Sequence, residues 1–367
     1  MKNISFLFVL VFLTENLSAQ GAFTEYSTSH YARTIRLGNT YTGIAEGAEA
    51  LYYNPAGIAN SNSYEFLFSN GIGLAPFVDG TRPYDYAVVT PLPENFGSVG
   101  FSAQTLYYIY FRETQENIFN LSYAYQFFNS LSVGLTAGYY HFHAVPQLSI
   151  GDWFISEEGS AIDLSLGVLY ELPANMKISD RDDFKIGFSF KNFLNSKIKL
   201  EPTNNEYFLN QTMRAGISYR FVPLFPGKKE TDPILCRPEA IRPIQILAAI
   251  DLVYAGSDYD FKLYYPNYAI ELTIYEILEI SFGRENEKSL SESSNQPLPP
   301  QYPVNRYGIG LNAPLHLLFE SSNKMIIKIN YSKSDWEPIN EENVNLPHFS
   351  IKEMDDDAFS IGFAFEL

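Results

Sequence analysis

Cysteine is almost absent from this sequence. Cys236 is the only one in 367 residues, so no disulfide can form within the chain. Long apolar runs are also missing, because residues 4–13 form too short a run for the roughly 18 residues that a transmembrane helix needs. The sequence has no nucleophile elbow, no zinc-ligand spacing and no phosphate-binding loop. These absences exclude a disulfide-stabilised scaffold and a helical membrane protein, and they argue against an enzyme and a bound cofactor.

Basic residues are scarce. The chain has 25 Lys and Arg against 42 Asp and Glu, which gives a formal net charge of −17. A chain of this charge repels phosphates, so nucleic acid is not an expected partner. The acidic residues concentrate in residues 285–292, 335–342 and 355–357, which we interpret as solvated loops.

The first 19 residues have the pattern of a signal peptide. Lys2 precedes the apolar run, and the small residues Ser18 and Ala19 stand before Gln20. We therefore predict that residues 1–19 direct export and are removed. No cysteine follows at the cleavage site, so a lipid anchor is not expected.

Aromatic residues are abundant, and they alternate with small or charged ones. The chain has 27 Tyr and 29 Phe, which together with Trp make up 16% of the residues. Around residue 187, Phe184, Ile186, Phe188 and Phe190 alternate with Lys185, Gly187, Ser189 and Lys191. A period of two residues is typical of a β-strand with two different faces.

The same alternation predicts about fourteen strands. They lie near residues 64–70, 84–90, 97–108, 118–128, 131–143, 160–172, 183–194, 210–221, 244–255, 267–275, 277–284, 304–312, 324–334 and 357–366. An even number of strands, many long enough to cross a bilayer when tilted, indicates an all-β transmembrane antiparallel barrel. A soluble β-sandwich is the alternative. Faces rich in Gly and Ser favour the barrel, because small residues fit a narrow, filled lumen.

The connections between the predicted strands differ in length. Residues 128–130 and 275–277 are tight turns, whereas residues 222–243, 285–303 and 335–356 are long. Outer-membrane barrels have short periplasmic turns and long external loops. We therefore predict that the three long segments lie on the external side.

Residues 32–59 contain many glycines and alanines before the first predicted strand. Residues with little or no side chain allow the backbone to pass close to surrounding walls, which suits a segment threaded through a lumen. Pro55 restricts its own backbone and that of Asn54. We predict a hatch over residues 20–62, a barrel over 63–367, and a gating role for six residues: Gly38, Gly43, Asn54, Pro55, Ala56 and Gly57.

This segment resembles the N-terminal signature of PorV-type and FadL-type outer-membrane proteins. The likeness rests on Arg33, Gly38, the run 41–43, the run 50–53 and the run 54–57, and it is closer to the PorV branch. The hairpin NYAIELTIYEILEISFGREN is similar to a late hairpin of PorV-type barrels. The resemblance implies a hatch inside a fourteen-stranded barrel. Glu46-Gly47 departs from the pattern, because the family often has paired acids there.

Ionisable residues fall on the predicted inward faces of the strands. We expect these residues either to form ion pairs with one another or with the hatch, or to line a path for solutes. The predicted lumen-lining residues are Asp163, Lys185, Lys191, Arg214, Arg220, Asp251, Glu271, Glu279, Arg306 and Lys328. His141 and His143 share a face, but no third ligand accompanies them, so we interpret them as interfacial residues rather than a metal site.

Two functions follow from the resemblance, and both place the chain in the bacterial outer membrane, in contact with its lipid. The first is a PorV-like role in protein secretion by a type IX-like route, with secretion-system proteins or cargo as partners. The alternative is FadL-like uptake of hydrophobic molecules such as long-chain fatty acids, with such a molecule or a detergent in the lumen. A structural barrel without a transport role is a third reading.

Overall fold

The computed structural model describes most of the chain except its N-terminus and several connections. The predicted signal peptide and Cys236 lie outside the described residues. The structure describes residues 31–72, 81–93, 96–108, 114–128, 130–144, 156–173, 182–202, 204, 206–209, 211–223, 243–256, 263–287, 302–315, 325–336 and 355–365.

Sixteen strands and three short helical elements form in these residues. The strands are β1 (Tyr64–Ile72), β2 (Thr81–Pro91), β3 (Ser98–Tyr108), β4 (Thr114–Phe127), β5 (Leu131–Ala144), β6 (Glu157–Glu171), β7 (Asp183–Lys191), β8 (Lys197–Lys199), β9 (Glu206–Phe208), β10 (Gln211–Phe221), β11 (Ile244–Gly256), β12 (Leu263–Ile274), β13 (Leu278–Glu287), β14 (Tyr302–Pro314), β15 (Met325–Trp336) and β16 (Asp355–Phe365). The helices are α1 (Ala32–Arg36), α2 (Ala50–Tyr53) and a 3₁₀ turn (Pro55–Ile58).

All strands except β8 and β9 form one closed antiparallel barrel of fourteen strands. Each strand pairs with its neighbour along the chain, and β1 closes the barrel on β16 with Phe68 opposite Ile361. Each of the fourteen predicted ranges overlaps one barrel strand. The predicted fold class, a fourteen-stranded antiparallel β-barrel, is therefore confirmed.

The two faces of the strands differ as the alternation predicts. On β10, Ile217 is exposed on the outside, whereas Gly216 and Ser218 are buried on the inside. Large apolar side chains cover the outer surface of the other strands in the same way, which suits contact with lipid. Examples are Phe101, Leu121, Leu135, Ile162, Leu252 and Ile309.

The tight turns lie at one end of the barrel, which we call the turn end. Residues 128–130 join β4 to β5, and residues 275–277 join β12 to β13. Phe128, Tyr275 and Glu276 have positive φ values of 53°, 53° and 59°, as tight strand connections require. Short turns mark the periplasmic side of outer-membrane barrels, so we expect the turn end to face the periplasm.

One expected loop position is wrong. Residues 222–243 join the end of β10 to the start of β11, and these strand ends lie at the turn end. Length alone suggested the external side, but the alternating direction of antiparallel strands decides the side. The other two long segments, residues 285–303 and 335–356, connect strands at the opposite end, as expected.

The connection between β7 and β10 contains a hairpin that alternation does not reveal. Strands β8 and β9 pair with each other and form a two-stranded sheet that is separate from the sheet of the barrel. Ile198, Leu200 and Leu209 pack on Phe142, which lies near the external end of β5. The hairpin therefore covers part of the inside of the barrel at its external mouth.

Residues 31–63, called the luminal segment below, lie inside the barrel. Almost all residues from 31 to 59 are buried, and their side chains form the centre of the main hydrophobic core. Wall residues such as Leu67, Val89 and Leu247 complete this core from different sides. Among the described residues, no helix is long and apolar enough to cross a membrane.

Candidate functional site

The luminal segment packs its backbone directly against glycines of the wall. Gly43 lies between β7 and β10: a methyl group at Gly216 would come within 2.6 Å of the Gly43 nitrogen. A methyl group at Gly187 would overlap the carbonyl oxygen of Thr42. Backbone therefore meets backbone here, and a side chain on any of these glycines would push the two apart.

A second glycine contact surrounds the Asn54-Pro55-Ala56 element. A methyl group at Gly167 of β6 would lie 2.7 Å from Cδ of Pro55, and one at Gly134 of β5 would overlap its carbonyl carbon. The prolyl ring and the backbone after it thus occupy the space that two wall side chains would otherwise fill.

Asn54 connects this element to both the segment and the wall. Its side-chain Nδ2 donates to the carbonyl oxygens of Thr42 at 3.0 Å and Val168 at 2.9 Å. Its Oδ1 accepts from the nitrogen of Ala56 at 3.2 Å and caps the 3₁₀ turn. Asn54 is fully buried, so these bonds satisfy polar groups that water does not reach.

Gly38 and Gly57 also lie at close contacts. Gly38 has φ of +58° and packs on Gly283 of β13, where a methyl group would come within 2.8 Å of its Cα. Gly57 packs on Ala45 within the luminal segment itself. Five of the six predicted gating residues therefore contact the barrel wall. The sixth, Gly57, packs against another part of the luminal segment.

Three wall side chains bind the backbone of residues 39–43. Oδ2 of Asp251 accepts from the nitrogens of Tyr41 at 3.0 Å and Thr42 at 2.9 Å. Arg214 donates to the carbonyl oxygen of Asn39 at 3.0 Å, and Ser218 donates to that of Gly43 at 2.9 Å. The wall thus supplies hydrogen-bond partners to a stretch without regular secondary structure.

Below these residues, toward the turn end, two arginines of α1 meet two glutamates of the wall. Arg33 contacts Glu271 at 3.0 Å, and Arg36 contacts Glu271 at 3.1 Å and also Glu279. Asn312 donates to Glu279 at 2.8 Å. Arg36 is fully buried, so its charge depends on these carboxylates.

Glu46 binds three cations. Its carboxylate lies 2.7 Å from Arg33, 2.8 Å from Arg220 and 3.9 Å from Lys185. Arg33 is part of the luminal segment, whereas Arg220 and Lys185 belong to β10 and β7. The single acid at the position where the resembled families often have two therefore connects the segment to two strands.

The remaining predicted lining residues have separate partners. Lys328 binds Glu65 at 3.2 Å, Arg306 binds Glu285 at 2.8 Å, and the Lys191 ammonium lies 3.3 Å from the centre of the Tyr52 ring. Asp163 differs from the others.

Instead of facing the luminal segment, Asp163 accepts from the backbone nitrogens of Leu194 at 3.0 Å and Ser196 at 3.1 Å. It therefore holds the start of the connection between β7 and β10, just before β8, against β6.

Several residues of the site were not singled out from the sequence. Glu65 accepts from the nitrogen of Ala48 at 3.0 Å as well as from Lys328, and its alternation on β1 could have revealed it. Glu285 accepts from Asn39 at 2.7 Å, and Glu49 is buried near Glu65. The sequence offers no signal for Glu49, because its neighbours come from strands far away in the chain.

Two cavities open below the luminal segment, toward the turn end. Their volumes are about 260 and 290 Å³, and both are lined by Glu46, Gly47 and Glu65. We call them together the turn-end vestibule. Polar and charged side chains dominate its walls. A third cavity, of about 20 Å³, lies beside Tyr52 and Lys191.

Within the described ranges, no group of three or more His, Cys, Asp or Glu residues is arranged to hold a metal ion. His141 lies on the outer face of β5 and contacts Glu158 at 2.9 Å. The side chains of Asp355 and Asp356 lie outside the described part.

A closed antiparallel barrel with an apolar outer surface, whose lumen holds the N-terminal part of the same chain, defines an outer-membrane barrel protein. Residues 50–263 match the sequence model of a family described as type IX secretion system membrane protein PorP/SprF. This range covers more than half of the chain, and the chain belongs to this family. Its family and fold are those of a secretion and transport barrel, with membrane lipid and secretion-system proteins as partners.

Three of the solved structures that the chain matches are a FadL homologue, a hydrocarbon channel and a toluene transporter. A Pseudomonas aeruginosa FadL homologue has 9% identity and a TM-score of 0.44, with 92% of this chain and 98% of that chain covered. The CymD monoaromatic hydrocarbon channel has 10% identity and a TM-score of 0.49, with 93% and 98% covered. The P. putida toluene transporter TodX has 9% identity and a TM-score of 0.42, with 96% and 99% covered. No curated protein matches the chain significantly.

Proposed function

We propose that this protein serves type IX secretion as an outer-membrane barrel whose lumen its own residues 31–63 hold shut. The observation that carries the proposal is the backbone contact between Gly43 and the wall glycines Gly187 and Gly216. This junction is closed without any side chain, because the backbone of the luminal segment lies directly against the backbone of the wall. A barrel sealed in this way acts through protein contacts at its rims rather than as an open pore.

The hatch role of the luminal segment belongs to this proposal. The buried ion pairs of Arg36 and the three bonds of Asn54 support a segment that stays in place in the resting protein. Opening would separate Arg36 from Glu271 and Glu279 in a buried setting, which costs several kcal/mol, of the order of 3–5 kcal/mol for one broken buried pair.

Uptake of a hydrophobic solute is the second candidate. The charged lining of the turn-end vestibule speaks against it, because an apolar molecule gains little from such walls. Uptake remains a candidate because residues 33–57 resemble the signature of FadL-type proteins as well as that of PorV-type proteins. The PorV branch stays a prediction, since the family match is to PorP/SprF.

Deleting the gene separates the two functions. We expect the set of secreted proteins to change, with fatty-acid uptake unaffected, and re-expression of the wild-type chain to restore secretion. Unchanged secretion together with impaired uptake would overturn the secretion role. A matched strain expressing the Gly138→Ala variant, whose change contacts only wall side chains, controls for expression level.

A further inference from the structure

On the external side of the luminal segment, a small pocket lies between residues 51–55 and the wall. Its volume is about 20 Å³, and Tyr52 and Pro55 of the segment line it together with Ser189 and Lys191 of β7. We call it the Tyr52 pocket. Lys191 is the last residue of β7, at the external end of the strand. The turn-end vestibule is rich in acid, whereas the charged side chain that lines this pocket is a cation.

The ammonium group of Lys191 lacks a counter-ion. It lies 3.3 Å from the centre of the Tyr52 ring, and it forms no ion pair with a carboxylate in the described part of the chain. Arg214 on the neighbouring strand is close enough to repel it, and the attraction of Asp85 comes from a greater distance than that of an ion pair. A ring face attracts a cation less than an anion at the same place does, so an anion beside Lys191 would be favourable. Lys191 is only partly buried, which allows an ion to reach it.

Ser189 gives a second and independent sign of a ligand. The residue lines the same pocket and is only 1% exposed, and its hydroxyl has no hydrogen-bond partner among the residues that the structure describes. A buried hydroxyl without a partner costs free energy that a bound acceptor would recover. Ser189 and Lys191 are two residues apart on one face of β7, so both donors reach the pocket from the same side.

The size and the donors of the pocket define its ligand. A volume of about 20 Å³ holds one group of roughly the size of a water molecule. The ammonium and the hydroxyl can both donate a hydrogen bond. A water molecule would satisfy Ser189 but would leave the charge of Lys191 without a counter-ion, whereas a small anion would accept from both.

We propose that the Tyr52 pocket binds one small monovalent anion of the size of chloride, between the Lys191 ammonium and the Ser189 hydroxyl. The ion lies where β7 meets the luminal segment beside Pro55, so its binding strengthens the contact between the two. The inference goes beyond the proposed function and does not rest on it, because no step of it requires secretion. The anion site and the role in secretion can therefore fail separately.

Hydrogen exchange of the luminal segment tests the site in the full-length protein in detergent micelles. Residues 50–56 are followed in sodium chloride and in sodium gluconate at equal ionic strength, because gluconate is too large for the pocket. We expect chloride to slow the exchange of these residues several-fold and the effect to saturate with concentration, since a ligand that binds only the closed segment stabilises it. Equal exchange in the two salts would overturn the proposal.

Two substitutions in the pocket separate an ion site from a purely structural role. We expect Lys191→Gln to abolish the difference between chloride and gluconate. Ser189→Ala is expected to reduce the difference and to leave exchange in gluconate unchanged or slower, because it removes a hydroxyl that has no partner there. A serine that only supports the fold would give faster exchange in both salts, and this result would contradict the ion site.

The matched control is Lys197→Gln. Lys197 lies near the same end of the barrel, on the β8–β9 hairpin, where it pairs with Glu206. We expect this variant to keep the full chloride effect. Loss of the effect in Lys197→Gln as well as in Lys191→Gln would show a general effect of charge and would overturn the pocket as the site.

Bromide locates the ion directly and requires no variant, so this measurement holds even if the substituted proteins do not fold. In crystals of the wild-type protein grown with bromide in place of chloride, we expect an anomalous peak beside Nζ of Lys191 and Oγ of Ser189. A pocket that holds only water under these conditions would overturn the proposal.

Discussion

Single side chains hold the luminal segment to the wall through several hydrogen bonds or ion pairs each. Asn54 satisfies the carbonyl groups of Thr42 and Val168 and the nitrogen of Ala56 with one amide. Glu46 gathers three cations from three different elements. Each of these side chains joins the segment to strands far away in the chain, so its loss is expected to loosen the segment without dissolving the barrel.

The first prediction concerns Asn54→Ala. The change removes the amide that donates to the carbonyl oxygens of Thr42 and Val168, and we expect the local stability of residues 39–59 to fall by about 2–3 kcal/mol. Amide hydrogen exchange of this segment measures the effect, and the heat-dependent shift on a denaturing gel shows that the barrel persists. If the barrel itself is lost, Asn54 has a role in folding rather than in holding the segment.

The second prediction concerns pH and Glu46, which lies outside the membrane-spanning strands. Burial raises the pKa of Glu46, but Arg220, Arg33 and Lys185 outweigh burial and hold its pKa well below the ordinary value. A lowered pKa in the folded state stabilises above the ordinary pKa, and this contribution is lost as the pH falls toward the lowered value. We expect exchange protection of residues 33–46 to decline in that acidic range.

The matched variant for this measurement is Glu46→Gln. It removes the titrating group, so its protection is expected to be lower near neutral pH and to change less on acidification. An equal decline in the wild-type protein and the variant would show that a group other than Glu46 is responsible.

At the scale of elements, glycines on the inward faces of β5, β6, β7, β10 and β13 make the barrel wall complementary to the luminal segment. Contacts at Gly187, Gly216 and Gly283 bring two backbones together. The ion pairs then add charge interactions between the segment and β7, β10, β12 and β13. Shape and charge therefore act on the same short stretch of chain.

The third prediction tests this complementarity with Gly187→Ala. The added methyl group would overlap the carbonyl oxygen of Thr42, and backbone cannot move aside as a side chain can. We expect a loss of about 1–3 kcal/mol in the stability of the luminal segment, measured by hydrogen exchange of residues 39–47.

The control for the third prediction is Gly138→Ala. Its methyl group also points inward, but it meets the side chains of Asn120 and Tyr140 at 2.9 and 3.0 Å rather than the luminal segment. Equal effects of the two substitutions on the segment would contradict the importance of the backbone contact.

At the scale of the whole molecule, the barrel presents three different surfaces. Its outer wall is apolar, its turn end holds the acidic vestibule, and its external mouth is partly covered by the β8–β9 hairpin. The luminal segment lies between the two ends and separates them. This arrangement suits a protein that binds partners at its ends while the membrane stays sealed.

The fourth prediction concerns the seal. In planar lipid bilayers we expect the wild-type protein to form no steady open channel, because the luminal segment fills the lumen. Deletion of residues 31–63 is expected to raise the conductance well above that of the wild type. Gly187→Val serves as a second variant that displaces the segment without removing it, in case the deletion does not assemble. A large steady conductance of the wild-type protein would contradict a sealed lumen.

The sequence predicts the barrel well because each strand carries its own signal. The alternation of Phe188 and Phe190 with Gly187 and Ser189 needs no knowledge of the rest of the chain. It does not predict β8 and β9, which are three residues long and depend on contacts with the distant Phe142. The prediction from loop length puts residues 222–243 at the wrong end of the barrel. The end at which a connection lies is decided by the direction of the strand before it.

For the site, composition indicates which residues take part but not how they are joined. Small residues in the stretch 32–59 indicate close passage of the backbone, yet they do not show that Gly43 meets Gly187 and Gly216. Charged residues on inward faces indicate ion pairs, yet the sequence does not show that Glu46 joins Arg33 to Arg220. No pattern in the sequence indicates that Glu49 is buried at this site.

The sequence by itself determines the class of the fold, the number of barrel strands and the face of the barrel on which their side chains lie, because these depend on the local alternation of residues two apart. Only the tertiary structure decides which inward residues meet. Closing the barrel brings strands distant in the chain around residues 31–63, and packing at that distance depends on register and curvature. The position of Glu49 beside Gly47 and Glu65 is of this second kind.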